Sequence, residues 1–160
     1  MAAKVSDWMR RDVRTVVADL PLSQLEDCFV RDRVSGYPVT SPDNTLLGLV
    51  SRSDVIRQLS VEHTWAETLS DYHRDWSDTE SLGPSLEDVG ELAGRRLSTL
   101  CIEDVMVREV ITVAPDDSLT DAARVLVEHR IHRVPVVDAK RLVGILTTLD
   151  VARFVAEQDG

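Results

Sequence analysis

The sequence predicts an α+β fold in which two copies of one β-α-β-β-α unit pack sheet to sheet about a pseudo-twofold axis, with a helical insert between them. The main observation is an internal repeat, since a shift of 97 positions aligns Pro38-Val39 with Pro135-Val136. After the loss of one residue, a shift of 96 aligns Asp54 with Asp150. Because a unit of about 50 residues cannot bury both faces of a three-stranded sheet, the two copies are expected to pack together.

The repeat also predicts where the parts of the chain begin and end. The first copy covers residues 1–59, the insert 60–101 and the second copy 102–160, and together they are expected to form one intertwined module. A short stretch rich in β-branched residues opens each copy and predicts its first strand, at Thr15–Val17 and at Val110–Val113.

The second copy has the clearest pattern for the remaining elements. Ser118-Leu-Thr-Asp121 resembles a capping box, in which the serine hydroxyl accepts from a free amide of the first helical turn. Helical spacing then predicts one buried face, formed by Leu119, Ala122, Ala123, Leu126 and Val127. Strands at Val134–Val137 and Leu142–Leu146 should follow, with a final helix beginning near Thr148 and running through Val155.

The insert is acidic and has a helical pattern. Nine acidic and three basic residues in its stretch 60–100 carry −6 of the net charge of −10. An aromatic-rich stripe predicts a helix face that packs on the module or binds a partner, and its members are Trp65, Leu69, Tyr72 and Trp76. A second helix is expected from Ser85 through Arg95. His63, Glu67 and His73 lack a further suitably placed ligand, so no metal site is predicted.

Charge and composition limit the classes of partner. A net charge of −10 repels phosphate backbones, which argues against nucleic acid and anionic membranes as partners. No apolar run approaches the about 20 residues that span a bilayer, and no secretory signal is evident, so a cytoplasmic location is expected. The sequence contains no nucleophile elbow, phosphate-binding loop or dinucleotide fingerprint. We therefore expect a protein that is not an enzyme and that requires no cofactor.

Segments of both copies resemble the cystathionine-β-synthase (CBS) domain family. The resemblance lies in Val5–Met9, Gly36–Val39, Leu47–Asp54, Ile102–Met106, Ile131–Asp138 and Leu142–Asp150. It covers residues 5–59 and 102–158 and is looser in the first copy. The resemblance implies a tandem CBS pair, which usually senses AMP, ADP, ATP or S-adenosylmethionine and often forms a homodimer. A regulated protein would then be a separate chain.

The resemblance also implies ligand contacts in the second copy. Asp150 would accept hydrogen bonds from the ribose hydroxyls, the hydroxyl of Thr147 would face phosphate, and His132-Arg133 would also meet phosphate. A helix N-terminus attracts anions, and a guanidinium matches the shape of a phosphate. Helix capping is the alternative role for Thr147 and Asp150, and an exposed surface position is the alternative for Arg133.

Further candidates extend both predicted sites. In the second copy, Ile111 and Thr112 would contact adenine, and Val134 and Pro135 would form apolar walls. In the first copy the candidates are Thr15, Tyr37, Pro38, Ser51, Arg52 and Asp54. Ordinary core packing explains the strand residues equally well, and helix capping is again the alternative for Ser51 and Asp54.

The two sites are not expected to be equivalent. In the first copy, Ser35-Gly36 replaces the His-Arg pair, and Glu26 is expected on the inward face of its helix. Arg52 is then the candidate substitute for the lost phosphate anchor. The leading hypothesis is a regulatory adenosine-ligand sensor that acts on a separate protein. The alternative is a structural dimerisation or protein-interaction module with no bound nucleotide.

Overall fold

A computed structural model describes residues 2–58, 94–95 and 97–158. Its helices are α1 (Val5–Trp8), α2 (Leu22–Asp32), α3 (Ile102–Val105), α4 (Leu119–Glu128) and α5 (Thr148–Gln158), and residues 52–58 are also helical. Its strands are β1 (Gly36–Thr40), β2 (Leu46–Ser51), β3 (Arg133–Asp138) and β4 (Arg141–Thr147). The aromatic stripe and the histidines predicted for the insert lie outside the described residues, as does most of its second helix. None of the described helices has the length and apolar character needed to span a membrane.

The strands form two two-stranded sheets, β1-β2 and β3-β4, so the fold combines helices and strands as predicted. β3 and β4 are antiparallel, and Arg133 lies opposite Thr147 at the end of the hairpin remote from its turn. At the turn, Ala139 and Lys140 have positive φ angles of 47° and 69°. Two successive residues in this conformation match the right-handed twist of the flanking strands.

The predicted first strand of each copy is reduced to a single bridging residue, so the expectation of three-stranded sheets is wrong. Val113 bridges Val136 in parallel: its N–H donates to the carbonyl of Pro135, and its carbonyl accepts from Val137. A longer ladder would need N–H donors at Pro135 and at Pro115, which have none. In the first copy Val16 bridges Val39 in the same way.

The apolar face of α4 forms much of one core. That face is narrower than predicted. Ser118 caps the helix as expected, accepting from the Asp121 N–H at 3.0 Å. The core cluster consists of Val5, Met9, Val113, Leu119, Ala122, Leu126, Val134, Val136 and Leu146. Val127 is 76% exposed, so its predicted place on the buried face is wrong. It lies about 100° around the helix from Leu126, beyond the edge of the stripe.

The opening segment of each copy pairs with the last strand of the other copy. Arg10 and Ile145 exchange two backbone hydrogen bonds of 2.9 Å, and Val107 and Leu49 exchange equivalent bonds of 2.8 and 2.9 Å. The chain accordingly folds into two compact units that draw on both copies: Met1–Val17 with Pro38–Leu49 and Val107–Gly160, and Ala18–Tyr37 with Val50–Met106.

Gly144 permits the close approach of Met9 and Arg10 to β4. A Cβ atom at this position would lie 2.6 Å from the Met9 sulfur and 2.9 Å from the Arg10 carbonyl oxygen. Both distances are shorter than non-bonded atoms tolerate, so a larger residue would push the opening segment away from β4.

Candidate functional site

The junction between β4 and α5 places the carboxylate of Asp150 in a buried, hydrogen-bonded position. The N–H and the hydroxyl of Thr147 donate to Asp150 Oδ2 at 2.9 and 2.6 Å, and the Asp150 N–H donates back to the Thr147 hydroxyl at 3.3 Å. Asp150 is 2% exposed. These reciprocal bonds realise the capping role that the sequence left open for both residues. They use one carboxylate oxygen and leave the other for a different partner.

Two arginines face the second carboxylate oxygen of Asp150. Arg10 Nε donates to Asp150 Oδ1 at 3.4 Å, and Arg153 Nη1 lies 3.9 Å from the same atom. Both arginine side chains are more than half exposed. Oδ1 is therefore held by long contacts from side chains that can move without disturbing the core.

Arg133 lies at the same end of the hairpin, opposite Thr147. Its side chain is exposed and makes no ion pair within residues 2–58, 94–95 and 97–158. The carbonyl of the neighbouring His132 accepts from the Thr148 N–H at 3.0 Å and so ties the loop to the start of α5. We refer to Arg10, Arg133, Thr147, Asp150 and Arg153 as the Asp150 cluster.

The other candidates of the second copy have different surroundings. Val134 and Pro135 are fully buried strand residues, as the core-packing alternative expects. Ile111 and Thr112 are exposed. Thr112 borders a cleft of about 210 Å³ with Thr45, Leu46, Arg108, Val110, Val137 and Lys140. This cleft adjoins the hairpin turn, at the opposite end of β4 from Thr147.

The first copy repeats the capping geometry around Asp54. The N–H and the hydroxyl of Ser51 donate to Asp54 Oδ2 at 2.7 and 2.8 Å, and Arg57 Nη1 donates to Oδ1 at 3.2 Å. Asp54 is 8% exposed. The Arg52 N–H donates to the carbonyl of Ser35, matching the bond between Thr148 and His132. The repeat therefore extends to the hydrogen bonds of both strand-to-helix junctions.

Tyr37 lies in the core. It is 3% exposed, stacks on Phe29 with a centroid distance of 5.4 Å, and its hydroxyl lies 2.7 Å from both the Cys28 carbonyl and Asp32 Oδ2. Burial, reinforced by the Asp32 carboxylate, raises the pKa of Tyr37 above its ordinary value. Pro38 is likewise buried, whereas Thr15 is exposed.

Arg52, the candidate substitute for the phosphate anchor, contacts an acidic side chain and an aromatic ring. Its Nη2 lies 3.6 Å from Glu26 Oε1, and its guanidinium carbon lies 5.4 Å from the Phe29 ring centroid. The Glu26 side chain is 59% exposed, so its expected inward position is wrong. Leu22, Leu25 and Phe29 define the buried face of α2, and Glu26 lies about 100° beyond Leu25.

Sequence reasoning missed Arg10 and Arg153 as members of the site. Arg153 aligns with Arg57 in the repeat, so that identity was a usable signal. Arg10 had no local signal because the exchange of opening segments brings it to Asp150. Among the described residues, no group of three or more His, Cys, Asp or Glu side chains could hold a metal ion.

The comparisons with known proteins agree with this architecture. The CBS domain family model matches residues 5–61 and 102–157. Protein MJ1426 of Methanocaldococcus jannaschii is 30% identical over 148 residues, which cover 91% of this chain and 87% of that protein. The chloroplastic CBS domain-containing protein CBSX2 of Arabidopsis thaliana is 29% identical, and the match covers 93% of this chain but 62% of CBSX2.

Solved structures give the same result. The crystal structure of CBSX2 in complex with AMP has a TM-score of 0.70, 26% identity and 99% coverage of both chains. The CBS domain pair of protein MJ0100, solved with 5-methylthioadenosine and S-adenosyl-L-methionine, has a TM-score of 0.64 and 99% coverage of both chains. At 18% identity that likeness concerns the fold alone. The chain belongs to the CBS domain family and contains two CBS repeats.

Proposed function

We propose that this chain is a regulatory module that binds an adenosine compound at the Asp150 cluster and acts on a separate partner protein. The observation that carries the proposal is the burial and hydrogen bonding of the Asp150 carboxylate. Its carboxylate is buried and oriented by Thr147 through Oδ2, while Oδ1 is held by long contacts to half-exposed arginines. A ribose hydroxyl could donate to Oδ1 in place of an arginine, and such charge-assisted hydrogen bonds are strong.

The surrounding groups suit the rest of an adenine nucleotide. Arg133 is exposed at the end of β3, opposite Thr147, and has the planar donor set that fits a phosphate. The N-terminus of α5 adds a partial positive charge at the same end of the hairpin. The complex of CBSX2 with AMP supports an adenine nucleotide as the ligand, since that protein shares 26% identity and full-length coverage with this chain.

The first copy is proposed as the weaker site. Ser51 and Asp54 repeat the capping geometry, but Gly36 stands at the position of Arg133. Arg52, the candidate replacement, is paired with Glu26 and stacked over Phe29. A phosphate would therefore find fewer available cations there.

Thermal unfolding with a ligand panel tests the proposal. Wild-type protein is heated with AMP, ADP, ATP, NAD, adenosine or S-adenosylmethionine at millimolar concentration. A ligand with micromolar affinity should stabilise the fold by about 4 kcal/mol. Asp150→Asn should remove most of the shift, while Asp138→Asn, at an exposed aspartate of the same hairpin, should retain it. The absence of any shift for wild-type protein across the panel would reject ligand sensing.

A structural dimerisation role is the second candidate, and exposed apolar residues favour it. Val127 on α4 is 76% exposed, and Leu149 and Val155 on α5 are 54% and 55% exposed. Homodimer interfaces are more apolar than the rest of a protein surface, so exposed aliphatic residues suit such a contact. Sedimentation equilibrium should then report a dimer that Val127→Lys weakens, with no thermal response to any member of the panel. A monomer at all concentrations would reject this candidate.

A further inference from the structure

We infer that Arg10 makes the Asp150 cluster selective for anionic adenine nucleotides over neutral or cationic adenosine compounds. The inference rests on the proposed function and adds the charge class of the ligand. It also assigns a specificity role to a residue outside the family signatures of the second copy.

The position of Arg10 is fixed by the fold. Its N–H and carbonyl form two 2.9 Å hydrogen bonds with Ile145 in the middle of β4, and the missing side chain of Gly144 allows this approach. Only the side chain of Arg10 is free to move, and it is half exposed. A half-exposed guanidinium on a fixed backbone therefore lies next to Asp150.

The Asp150 cluster is positively charged, although the chain as a whole carries −10. Arg10 approaches from one side of β4, Arg133 lies across the strand opposite Thr147, and Arg153 follows one turn along α5. Asp150 is the only acidic member of the cluster, against three arginines. A local excess of positive charge attracts phosphate and repels a cation such as the sulfonium group of S-adenosylmethionine.

Arg10 can exchange one partner for another when the ligand binds. Its contact with Asp150 Oδ1 is 3.4 Å long, whereas the Thr147 hydroxyl lies 2.6 Å from Oδ2. A ribose hydroxyl that takes Oδ1 displaces the weaker contact and leaves the guanidinium free. The phosphate of a nucleotide can then form a new ion pair with Arg10. Adenosine has no phosphate, so its binding loses the Arg10–Asp150 contact and gains no ion pair in its place.

The first copy lacks this arrangement. Val107 occupies the position equivalent to Arg10 and makes the same type of backbone pair, with Leu49. Gly36 replaces Arg133, so of the three arginine positions only the one at Arg57 is retained. Selectivity for negative charge should therefore be a property of the Asp150 cluster.

Isothermal titration calorimetry on the full chain tests the inference, with AMP, adenosine and S-adenosylmethionine as probes. Wild-type protein should bind AMP more tightly than the other two, and Arg10→Gln should lower the ratio of AMP affinity to adenosine affinity about tenfold. Arg10→Lys should retain part of the ratio because it keeps the charge. Arg124→Gln is the matched control, since Arg124 is an exposed arginine paired with Asp121 on α4.

The outcomes separate the inference from the proposed function. An unchanged ratio in Arg10→Gln, or tighter binding of S-adenosylmethionine than of AMP by wild-type protein, would overturn the selectivity role. Binding of none of the three probes to wild-type protein would overturn the proposed function itself. The salt dependence of wild-type binding gives a test without mutants: added salt should weaken AMP binding much more than adenosine binding. Equal salt sensitivity would contradict the inference.

Discussion

Arg10 and Ile145 are 135 positions apart, yet they exchange two backbone hydrogen bonds of 2.9 Å. This pair attaches the opening segment of the first copy to the last strand of the second. It also brings the Arg10 guanidinium to Asp150, within 3.4 Å of its carboxylate. The fold and the candidate site thus depend on the same contact between the copies.

Gly144→Ala should disturb that contact. The added methyl group would lie 2.6 Å from the Met9 sulfur and 2.9 Å from the Arg10 carbonyl oxygen. Overpacking of this kind costs about 1–3 kcal/mol, which chemical denaturation can measure. AMP affinity should fall as well, because Arg10 moves with its backbone. Gly94→Ala is the control, since a Cβ there meets nothing within 4 Å. Equal stability of the two variants would contradict the account.

Leu126 and Val127 should respond very differently to truncation. Leu126 is 3% exposed and belongs to the core cluster, whereas Val127 is 76% exposed. Leu126→Ala should lower the free energy of unfolding by about 2–5 kcal/mol. Val127→Ala should change it by less than about 0.5 kcal/mol in the monomer. A large loss for Val127→Ala that depends on protein concentration would instead indicate that this residue is buried between copies.

Tyr37→Phe should affect stability and leave AMP affinity unchanged. Removing the hydroxyl takes a hydrogen-bond partner from the Cys28 carbonyl and from Asp32, whose side chain is 2% exposed. Loss of a buried partner costs about 1–3 kcal/mol, measurable by denaturant unfolding. A clear loss of AMP affinity with unchanged stability would assign Tyr37 to a ligand site rather than to the core.

The capping box at Ser118 should make stability depend on pH in the acid range. The hydrogen bond from the Ser118 hydroxyl holds the pKa of Asp121 below its ordinary value, with a smaller contribution from Arg124. Because the folded pKa is the lower one, the stabilisation is complete above the unfolded value near 4 and is lost as pH falls through the folded value. The difference in melting temperature between wild type and Asp121→Asn should shrink below about pH 4. A constant difference would contradict this assignment.

Local patterns in the sequence were sufficient to predict much of the second copy. The expected strand Val134–Val137 is observed as Arg133–Asp138, and the cap at Ser118 is present. These features depend on alternation, helical spacing and capping residues within a few positions. The reduction of the first strands to single bridges was not predicted. In the second copy it depends on the missing N–H donors of Pro115 and Pro135, which would stand next to Val113 in a longer parallel ladder.

The candidate site was predicted only in part, for a similar reason. The repeat and the family signatures pointed to Thr147, Asp150 and Arg133, which the structure places at one end of the hairpin. Arg10 reaches that end through a contact between copies that periodicity and spacing do not encode. The pairing of Arg52 with Glu26 was missed as well. The sequence placed Glu26 on the inward face of α2, but the buried face contains Leu25, one position earlier, and Glu26 is exposed.

Calorimetric titration of AMP into wild type, Asp150→Asn and Asp54→Asn tests the central claim most directly. Each variant is first checked for a cooperative thermal transition, so that weaker binding can be distinguished from unfolding of the variant. The account predicts that Asp150→Asn weakens AMP binding at least about tenfold, as expected for loss of a charged hydrogen-bond acceptor. It predicts a smaller change for Asp54→Asn. Equal losses in the two variants, or undiminished binding by folded Asp150→Asn, would contradict it.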